Sequence, residues 1–285
     1  MAPGLPRHTV AAIVDAALAE DVGAGGDVTT TATVGAGVIG AADLVPRQAG
    51  VVAGLPVAAY VFEVVGQGRL RVELGTQDGA RVTAGEVLAT VRGPVRDILT
   101  AERTALNLLG HLSGIATLTR AWVDAVSGTN AAIRDTRKTL PGLRALEKYA
   151  VRMGGGVNHR MSLSDAALVK DNHVAAGGGV VDAFDLVRAA YPGLALEVEV
   201  DTVAQAQAVI DAVADLVLLD NMRTVQLREV VAYAAGRARL EASGGLSLGD
   251  ARAVAETGVD YLAVGALTHS APVLDIGLDL ETGHP

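Results

Sequence analysis

The chain has 285 residues, half of them hydrophobic, which is enough for one large domain or two of ordinary size. Its net charge of −9 argues against a nucleic-acid backbone as partner, since that partner needs a net basic face. The absence of cysteine excludes disulfide scaffolds, thiolate zinc sites and cysteine nucleophiles. The longest uncharged segment, residues 104–119, is too short and too polar to span a membrane. The N-terminus lacks the apolar segment of a secretory signal, so we expect a cytoplasmic protein.

The first part of the chain reads as a helix followed by a β-rich region. Apolar residues recur on one stripe between His8 and Glu20, which predicts an amphipathic helix. Residues 37–95 contain short β-like runs separated by turns. Within them, residues 78–86 resemble the hairpins of lipoyl- and biotinyl-carrier domains. All three lysines lie elsewhere, so we expect a plain β scaffold here. Thr100 is a good N-cap, and a second helix is predicted to begin near it.

The second part of the chain alternates apolar runs with helical patterns. After the first interval the runs recur about every 20 to 30 residues, a spacing typical of βα units. They are residues 132–135, 167–170, 196–200, 216–220, 240–243 and 261–265. Nearly every run ends in a polar, charged or glycine residue, as expected where the carboxyl ends of barrel strands surround an active site. An open doubly wound sheet shares the alternation, but no G-x-G-x-x-G motif opens a helix, which disfavours a dinucleotide-binding fold.

Positive charge is concentrated in residues 134–173. This window has eight basic and four acidic residues, and the remaining 15 basic and 28 acidic residues lie outside it. A basic island in an acidic protein indicates a small polyanionic ligand. The alternative is a solvated helix face, which the i, i+4, i+8 spacing of Arg144, Lys148 and Arg152 fits. That alternative does not fit the basic residues beside apolar runs and glycines, namely Arg137, Lys138, Arg160 and Lys170.

Two further groups of residues lie at predicted strand ends. Glycines follow the last two strands, in Ser243-Gly244-Gly245 and Gly265-Ala266. Barrels commonly hold phosphate there with main-chain N–H groups, although two tight turns are an alternative. Glu199 and Asp220 end successive strands, where carboxylates suit magnesium, ribose hydroxyls or general-base work. Scaffold hydrogen bonding is the alternative for these acids, as a structural role is for His159. The residues thus predict a barrel enzyme for a sugar phosphate and a second anion.

The sequence also resembles a known family over almost its whole length, from GDVTT at 26–30 to LDI at 274–276. The matching stretches, in order, are TAERTALN at 100–107, HLSGIAT at 111–117, DTRKT at 135–139, GGVNHR at 155–160, KDNH at 170–173, EVEV at 197–200, LDN at 219–221 and EASGG at 241–245. They resemble those of quinolinate phosphoribosyltransferase. The resemblance implies an α/β fold, with an N-terminal α/β sandwich at residues 1–107 and a C-terminal (β/α) barrel with an incomplete strand set at 108–285.

The resemblance further implies a reaction and an assembly. Family members combine quinolinate with phosphoribosyl pyrophosphate, using Mg²⁺, to give nicotinate mononucleotide, pyrophosphate and CO₂ in de novo NAD biosynthesis. They are homodimers in which the N-terminal region of one subunit closes the active site of the other. Arg103 is then expected to reach the partner subunit's substrate. We expect neither a nucleic-acid nor a membrane partner.

Residue roles carry over at the matching positions. Quinolinate is a dianion whose desolvation needs matched cations. Those expected to bind it are Arg103, Arg137, His159, Arg160 and Lys170. The groups expected to bind phosphoribosyl pyrophosphate, including its 5′-phosphate, are Thr136, Lys138, Glu199, Asp220, Ser243, Gly244, Gly245, Val264, Gly265 and Ala266. Lys138, Glu199 and Asp220 are the predicted catalytic residues, and Glu199 and Asp220 the predicted Mg²⁺ ligands, partly through the substrate.

Three alternatives remain at this point. Lys170 ends a strand beside Asp171, as a Schiff-base lysine does in barrel lyases, and such an enzyme needs no magnesium. A family paralogue with another aromatic acid as acceptor has the same phosphate site. A non-catalytic sensor of phosphoribosyl pyrophosphate uses the same residues and differs only in turnover.

Overall fold

A computed structural model describes residues 5–282, which form two compact units. Unit 1 comprises residues 5–120, 139–155 and 267–282, and unit 2 comprises residues 121–138 and 156–266. The helices are α1 (Arg7–Val22), α2 (Val28–Thr33), α3 (Leu55–Gly66), α4 (Val95–Ala125), α5 (Arg144–Met153), α6 (Asp171–Gly177), α7 (Val180–Ala190), α8 (Val203–Asp211), α9 (Thr224–Ala234), α10 (Ala251–Ala255) and α11 (Ala266–His269). The strands are β1 (Ile39–Pro46), β2 (Gly50–Val51), β3 (Arg71–Leu74), β4 (Arg81–Val82), β5 (Ala89–Pro94), β6 (Ala132–Arg134), β7 (Ala167–Val169), β8 (Leu196–Val200), β9 (Leu216–Asp220), β10 (Arg239–Ser243), β11 (Tyr261–Ala263) and β12 (Ile276–Thr282). The predicted domain boundary between residues 107 and 108 stays a prediction.

Unit 1 is built on an antiparallel four-stranded sheet of order β12-β1-β5-β3. In it β12 pairs with β1 over its whole length, from Gly40 opposite Thr282 to Pro46 opposite Ile276. The same unit also contains a separate two-stranded antiparallel ladder formed by β2 and β4. Helix α3 packs against β3, β5 and α1, and its Val61 and Phe62 side chains are fully buried. The α/β character predicted for this part of the chain is confirmed.

Two local predictions in unit 1 are wrong. The apolar stretch that begins at Leu55 forms helix α3 inside the region predicted as β. Pro56 lies in its first turn, and Asp78 accepts the main-chain N–H groups of Gly54 and Leu55, so this helix start is specified by a residue distant in sequence. Helix α4 begins at Val95, not near Thr100. The Thr100 hydroxyl instead donates to Asp27, the N-cap of α2.

Helix α5 also differs from expectation. The solvated-face interpretation fails for Lys148, which is fully buried, while Arg144 and Arg152 are half-buried. Glu147, its neighbour, is equally buried and accepts hydrogen bonds from His111 Nε2 at 2.9 Å and the Leu140 N–H at 3.1 Å. Charged side chains on this helix are therefore part of the interior of unit 1.

Unit 2 is a six-stranded parallel sheet of order β6-β11-β10-β9-β8-β7 with helices α6 to α10 connecting its strands. All six predicted runs form these strands. The first strand pairs with the last one in sequence while the others pair in order, which is the connectivity of a barrel. Within residues 5–282 the ladders leave β6 and β7 unpaired with one another, so the predicted barrel with an incomplete strand set is confirmed. No helix in the described part of the chain is long and apolar enough to cross a membrane.

Candidate active site

A pocket of about 370 Å³ opens at the carboxyl ends of the unit 2 strands. It is lined by Thr136, Arg137, Lys138, His159, Arg160, Leu168, Lys170, Glu199, Leu218, Asp220, Glu241, Ser243 and Ala263. Nine of these thirteen residues are predicted site residues, contributed by segments that follow or end β6 to β10. Parallel strands bring their carboxyl ends to one edge, which is why residues scattered over 100 positions meet here.

The lining is arranged in two levels by the alternation of side chains along each strand. Residues two apart point to the same face of a strand. Leu218 and Asp220 on β9 both line the pocket, as do Glu241 and Ser243 on β10. The outer member of each pair ends its strand, and the inner member lies one level deeper. On β9 and β10 the residues predicted from sequence, Asp220 and Ser243, belong to the outer level only.

Arg137 and Arg160 are the guanidinium groups of the pocket. The Nε atom of each is buried and has no hydrogen-bond partner. Burial, followed by the positive charge of Arg137, lowers the pKa of Arg160 from its ordinary value. Two cations facing each other with buried donors form an unfavourable arrangement that an anion with several acceptor oxygens relieves.

Arg160 is also held from the outer side by a short loop. Its Nη1 donates to the Ala166 carbonyl at 2.9 Å. Asp165 organises this loop by accepting the main-chain N–H groups of Met161 and Ser162, each at 2.7 Å. Burial opposes ionisation of Asp165, but these bonds and one from the Ser162 hydroxyl lower its pKa to about 2. The loop is therefore fixed by an ionised carboxylate at neutral pH.

The two lysines of the pocket differ in their surroundings. Lys170 Nζ forms an ion pair with Glu199 across β7 and β8. Lys138 is exposed and belongs to the segment that follows β6, where its main-chain N–H donates to the Thr136 hydroxyl at 3.0 Å. The pocket thus offers one lysine already matched by a carboxylate and one on the rim.

Carboxylate oxygens at the rim are the groups suited to a magnesium ion. Glu199 and Asp220 supply hard oxygen ligands at neighbouring strand ends, and Asp220 accepts the Asn221 side-chain N–H at 2.6 Å. This donor set fits an ion that retains waters and shares substrate oxygens. A second group, His159, Glu197 and Glu241, has ligand atoms within 4.8 Å of one another but is fully buried. Its His159 and Glu197 already bind each other, which argues against an ion there.

The predicted phosphate loops contain residues that only glycine can occupy. Gly244 has a φ of +97°, and a Cβ there would lie 2.2 Å from the Asn221 side-chain oxygen. Ser243 pairs with Asp220 in the β10–β9 ladder, and the Ser243 carbonyl accepts the Asn221 N–H at 2.9 Å. The loop after β10 is therefore packed closely on the loop after β9. The remaining predicted phosphate ligands, Gly245, Val264, Gly265 and Ala266, lie in the same loop after β10 or directly after β11.

A network of four charged or polar side chains joins two residues of the pocket lining, His159 and Glu241, to two that lie outside the lining, Glu197 and Arg134. His159 Nε2 is 2.6 Å from Glu197 Oε2, and Arg134 Nη1 binds Glu241 Oε2. Arg134 also stacks on the Tyr261 ring, at 4.8 Å from its centroid. Burial, then the negative charge of Glu197, raises the pKa of Glu241 to about 8, although Arg134 opposes the shift.

Sequence reasoning assigned no role to three of these residues, Arg134, Glu197 and Glu241. A signal for two of them was present. Glu197 and Glu241 each stand two positions before a predicted site residue on the same strand, so strand alternation points them to the same face. An acid at such an inward position is costly to bury without a partner, which marks it as part of a polar network.

Arg103 lies on α4 in unit 1. Its side chain is 63 % exposed and is 3.9 Å from the Glu102 carboxylate. It lines a separate cleft of about 250 Å³ with Leu106, Asn107 and residues 273–276. A long, exposed cation on a helix surface is available to a neighbouring molecule.

Comparisons with known proteins identify the family. Residues 27–113 match the quinolinate phosphoribosyl transferase N-terminal domain, and residues 115–279 match the C-terminal domain of the same family. The chain is 59 % identical to the nicotinate-nucleotide pyrophosphorylase [carboxylating] of Mycobacterium leprae, over 93 % of this chain and 94 % of that protein. It is 40 % identical to the probable enzyme of the same name from Bacillus subtilis, over 92 % of this chain and 90 % of that protein.

The fold is shared with a solved structure as well. The crystal structure of NadC from Streptococcus pyogenes matches with a TM-score of 0.93 at 40 % identity, covering 98 % of this chain and 99 % of that chain. Both family domains, the full-length relatives and the fold agree over nearly the whole sequence. The chain therefore belongs to the quinolinate phosphoribosyltransferase family.

Proposed function

We propose that this protein transfers the phosphoribosyl group of phosphoribosyl pyrophosphate to quinolinate, releasing pyrophosphate and CO₂ and forming nicotinate mononucleotide for NAD biosynthesis. The observation that carries the proposal is the pair of guanidinium groups, Arg137 and Arg160, with buried and unpaired Nε donors in one pocket. A dicarboxylate supplies the acceptors that this pair lacks. Family membership across both domains supports the same reaction.

The acceptor is bound by the cationic side of the pocket. Quinolinate carries two carboxylates on adjacent ring carbons, and Arg137, Arg160 and Lys170 offer matched positive charges. Orienting both carboxylates fixes the ring, so that its nitrogen faces the ribose carbon to which it will bond. A pyridine acid with one carboxylate leaves one buried guanidinium unpaired and binds less well.

The donor is bound mainly at the ends of β9 to β11, with further contacts from the end of β8 and from the segment after β6. The main chain of Ser243, Gly244 and Gly245, with Val264, Gly265 and Ala266, binds the 5′-phosphate, as glycine loops commonly do. Glu199 and Asp220 bind the ribose hydroxyls. Thr136 and Lys138 lie on the segment after β6, where they contact the pyrophosphate.

The chemistry proceeds in two steps. The pyridine nitrogen bonds to C1 of the ribose while the C1–O bond breaks and pyrophosphate departs with the electron pair. Lys138 offsets the negative charge that develops on the leaving group, and Glu199 and Asp220 stabilise positive charge on the ribose. The C2–carboxylate bond then breaks, CO₂ leaves, the pyridinium nitrogen stabilises the electron pair at C2, and C2 takes up a proton.

Magnesium is part of the proposal. Glu199 and Asp220 would hold the ion together with substrate oxygens, and when bound it neutralises charge on the pyrophosphate. Lys170 forms an ion pair with Glu199, so the acceptor-binding side of the pocket lies directly beside the carboxylates that would hold the ion. The same ion pair and the family assignment do not favour the Schiff-base interpretation of Lys170.

We also propose a cytoplasmic homodimer in which Arg103 enters the partner subunit's site. Its exposure and length suit a contact with the second carboxylate of quinolinate in a neighbouring copy. Mixing inactive Arg103→Ala and Lys138→Ala subunits tests this arrangement. Partial recovery of turnover is expected, since a mixed dimer then contains one intact site, and no recovery would contradict the shared site.

The reaction is tested with purified protein, quinolinate and phosphoribosyl pyrophosphate, with and without Mg²⁺. We expect nicotinate mononucleotide and CO₂ to form in equal amounts, only with the ion, and nicotinate to be a far poorer acceptor. Arg137→Met should lower kcat/KM for quinolinate about a hundredfold, since losing one partner of a buried ionic contact costs about 3 kcal/mol.

The matched control is Arg188→Met, which removes an exposed arginine from α7 in unit 2 and should leave kcat/KM unchanged. Equal turnover with nicotinate and quinolinate would contradict recognition of two carboxylates. A folded protein that forms no nucleotide from either acceptor would reject the proposed reaction.

A further inference from the structure

The His159 ring is held by protein groups on both of its nitrogens. Nε2 is 2.6 Å from Glu197 Oε2, and Nδ1 is 2.7 Å from the main-chain N–H of Arg160. A main-chain N–H can only donate, so Nδ1 accepts and carries no proton. The ring proton is then on Nε2 and is donated to Glu197. These contacts define one neutral tautomer of His159.

The same contacts fix the position of Arg160. Its main-chain nitrogen is bound to the His159 ring, and its Nη1 is bound to the Ala166 carbonyl at 2.9 Å. The His159 main-chain N–H in turn donates to Asp135, which is fully buried, at 2.8 Å. Arg160 is therefore anchored at the backbone through His159, and His159 is anchored by two buried carboxylates.

The position of Glu197 gives it no direct role with a ligand. It is 3 % exposed, one level below the pocket lining, and its Oε1 has no hydrogen-bond partner. Burying a carboxylate in this way is unfavourable, and an apolar side chain on β8 would avoid the cost. Among the described residues its hydrogen-bond partner is His159, and the positive charges of Arg134 and Arg160 also act on it. The hydrogen bond that helps to offset the cost is thus the one that selects the tautomer.

We propose that Glu197 is a positioning residue: it holds His159 in the Nε2-protonated tautomer, and His159 then fixes the Arg160 main chain so that the guanidinium meets the acceptor dicarboxylate. The inference rests on the proposed function for the identity of the acceptor. It assigns His159 an indirect part in quinolinate binding, since both ring nitrogens contact the protein. The donor site is built mainly from the loops after β9, β10 and β11, and its one residue on β8, Glu199, is bound by Lys170 and not by His159, so the effect is expected chiefly at the acceptor.

The tautomer is measured directly by ¹⁵N NMR of histidine-labelled, ligand-free protein, with the His159 signals identified by their loss in His159→Gln. We expect a protonated Nε2 and an unprotonated Nδ1. This measurement needs neither substrate nor turnover. A protonated Nδ1 in the wild-type protein would overturn the inference even if the proposed reaction occurs.

Steady-state kinetics of two variants separate positioning from general structural damage. Glu197→Ala leaves Nε2–H without an acceptor, and we expect mixed tautomers, at least a tenfold higher KM for quinolinate and a KM for phosphoribosyl pyrophosphate within threefold of wild type. Glu197→Gln retains a carbonyl acceptor and should restore the tautomer and the KM to within threefold.

Three kinetic outcomes would refute the proposal: equal rises of both KM values, a wild-type KM in Glu197→Ala, or failure of Glu197→Gln to rescue. If Glu197→Ala does not fold, the wild-type tautomer and the Glu197→Gln kinetics still decide. If wild-type protein makes no nucleotide, the proposed function fails, and the positioning role is judged on the tautomers of the wild type and Glu197→Gln alone.

Discussion

Replacing Glu241 with Gln should leave the stability of the protein unchanged at about pH 4.5 and make the variant progressively more stable than the wild type as the pH rises to about 8. Burial, with the charge of Glu197, raises the pKa of Glu241 from 4.5 to about 8. Between these values the folded state retains a proton that the unfolded state has lost. The free energy of unfolding of the wild-type protein therefore falls as the pH rises. Gln has the same shape, cannot ionise, and still accepts from Arg134 with its carbonyl.

The size of the effect follows from the pKa difference. Each pH unit within this window changes the free energy of unfolding by about 1.4 kcal/mol. Over the whole window the loss attributable to Glu241 is on the order of 5 kcal/mol. Glu241 is fully buried, so solvent screening does not reduce this figure substantially.

Urea denaturation of wild type and Glu241→Gln at a series of pH values between 4.5 and 9 measures this difference. Subtracting the two curves removes the contributions of all other titrating groups that the substitution leaves unchanged. We expect the Gln variant to gain relative stability steadily with pH and to level off above about pH 8. A difference that does not vary with pH would refute the assignment, because Glu241 would then ionise in the folded state as it does in the unfolded chain.

Lys138→Ala should keep the wild-type midpoint of unfolding and lower kcat about a hundredfold, a loss on the order of 3 kcal/mol of transition-state stabilisation; near-normal turnover would remove its assigned role. Tyr149→Phe deletes the 2.7 Å hydrogen bond to the half-buried carboxylate of Asp78 and should cost about 1 to 2 kcal/mol in urea denaturation. The exposed counterpart Tyr233→Phe should show no measurable change and serves as its control. Gly244→Ala clashes with the loop after β9 and should raise the KM for phosphoribosyl pyrophosphate at least tenfold, measured beside the unaffected KM for quinolinate.

The strands of unit 2 could be predicted from sequence because each is a short apolar run with a polar end. Their carboxyl ends then had to converge, and this brought residues such as Lys170 and Asp220 together without any further information. The pairing of β6 with β11 is a long-range contact that periodicity alone does not encode. The prediction of a barrel is nevertheless confirmed, because a barrel requires its first and last strands to pair.

The errors arose where a distant residue decides the local structure. Residues from Leu55 carry β-branched and apolar side chains that suit a strand, but Asp78 satisfies the first N–H groups of a helix there. Thr100 is a residue type that often caps the N-terminus of a helix, yet its hydroxyl donates a hydrogen bond to Asp27. Lys148 has helical spacing typical of a solvated face, and only the packing of α5 reveals its burial.

The pairing of β12 with β1 has a consequence for how the chain is made. Pro46 meets Ile276, so about 230 residues must leave the ribosome before this ladder can close. At 5 to 20 residues per second, synthesis takes roughly 10 to 50 s over that interval. During this interval the edge of β1 that will pair with β12 is open, and it can pair with a strand of another nascent chain. Meanwhile the six strands of unit 2 have all emerged, so the order of synthesis favours completion of the barrel before the sheet that precedes it in sequence.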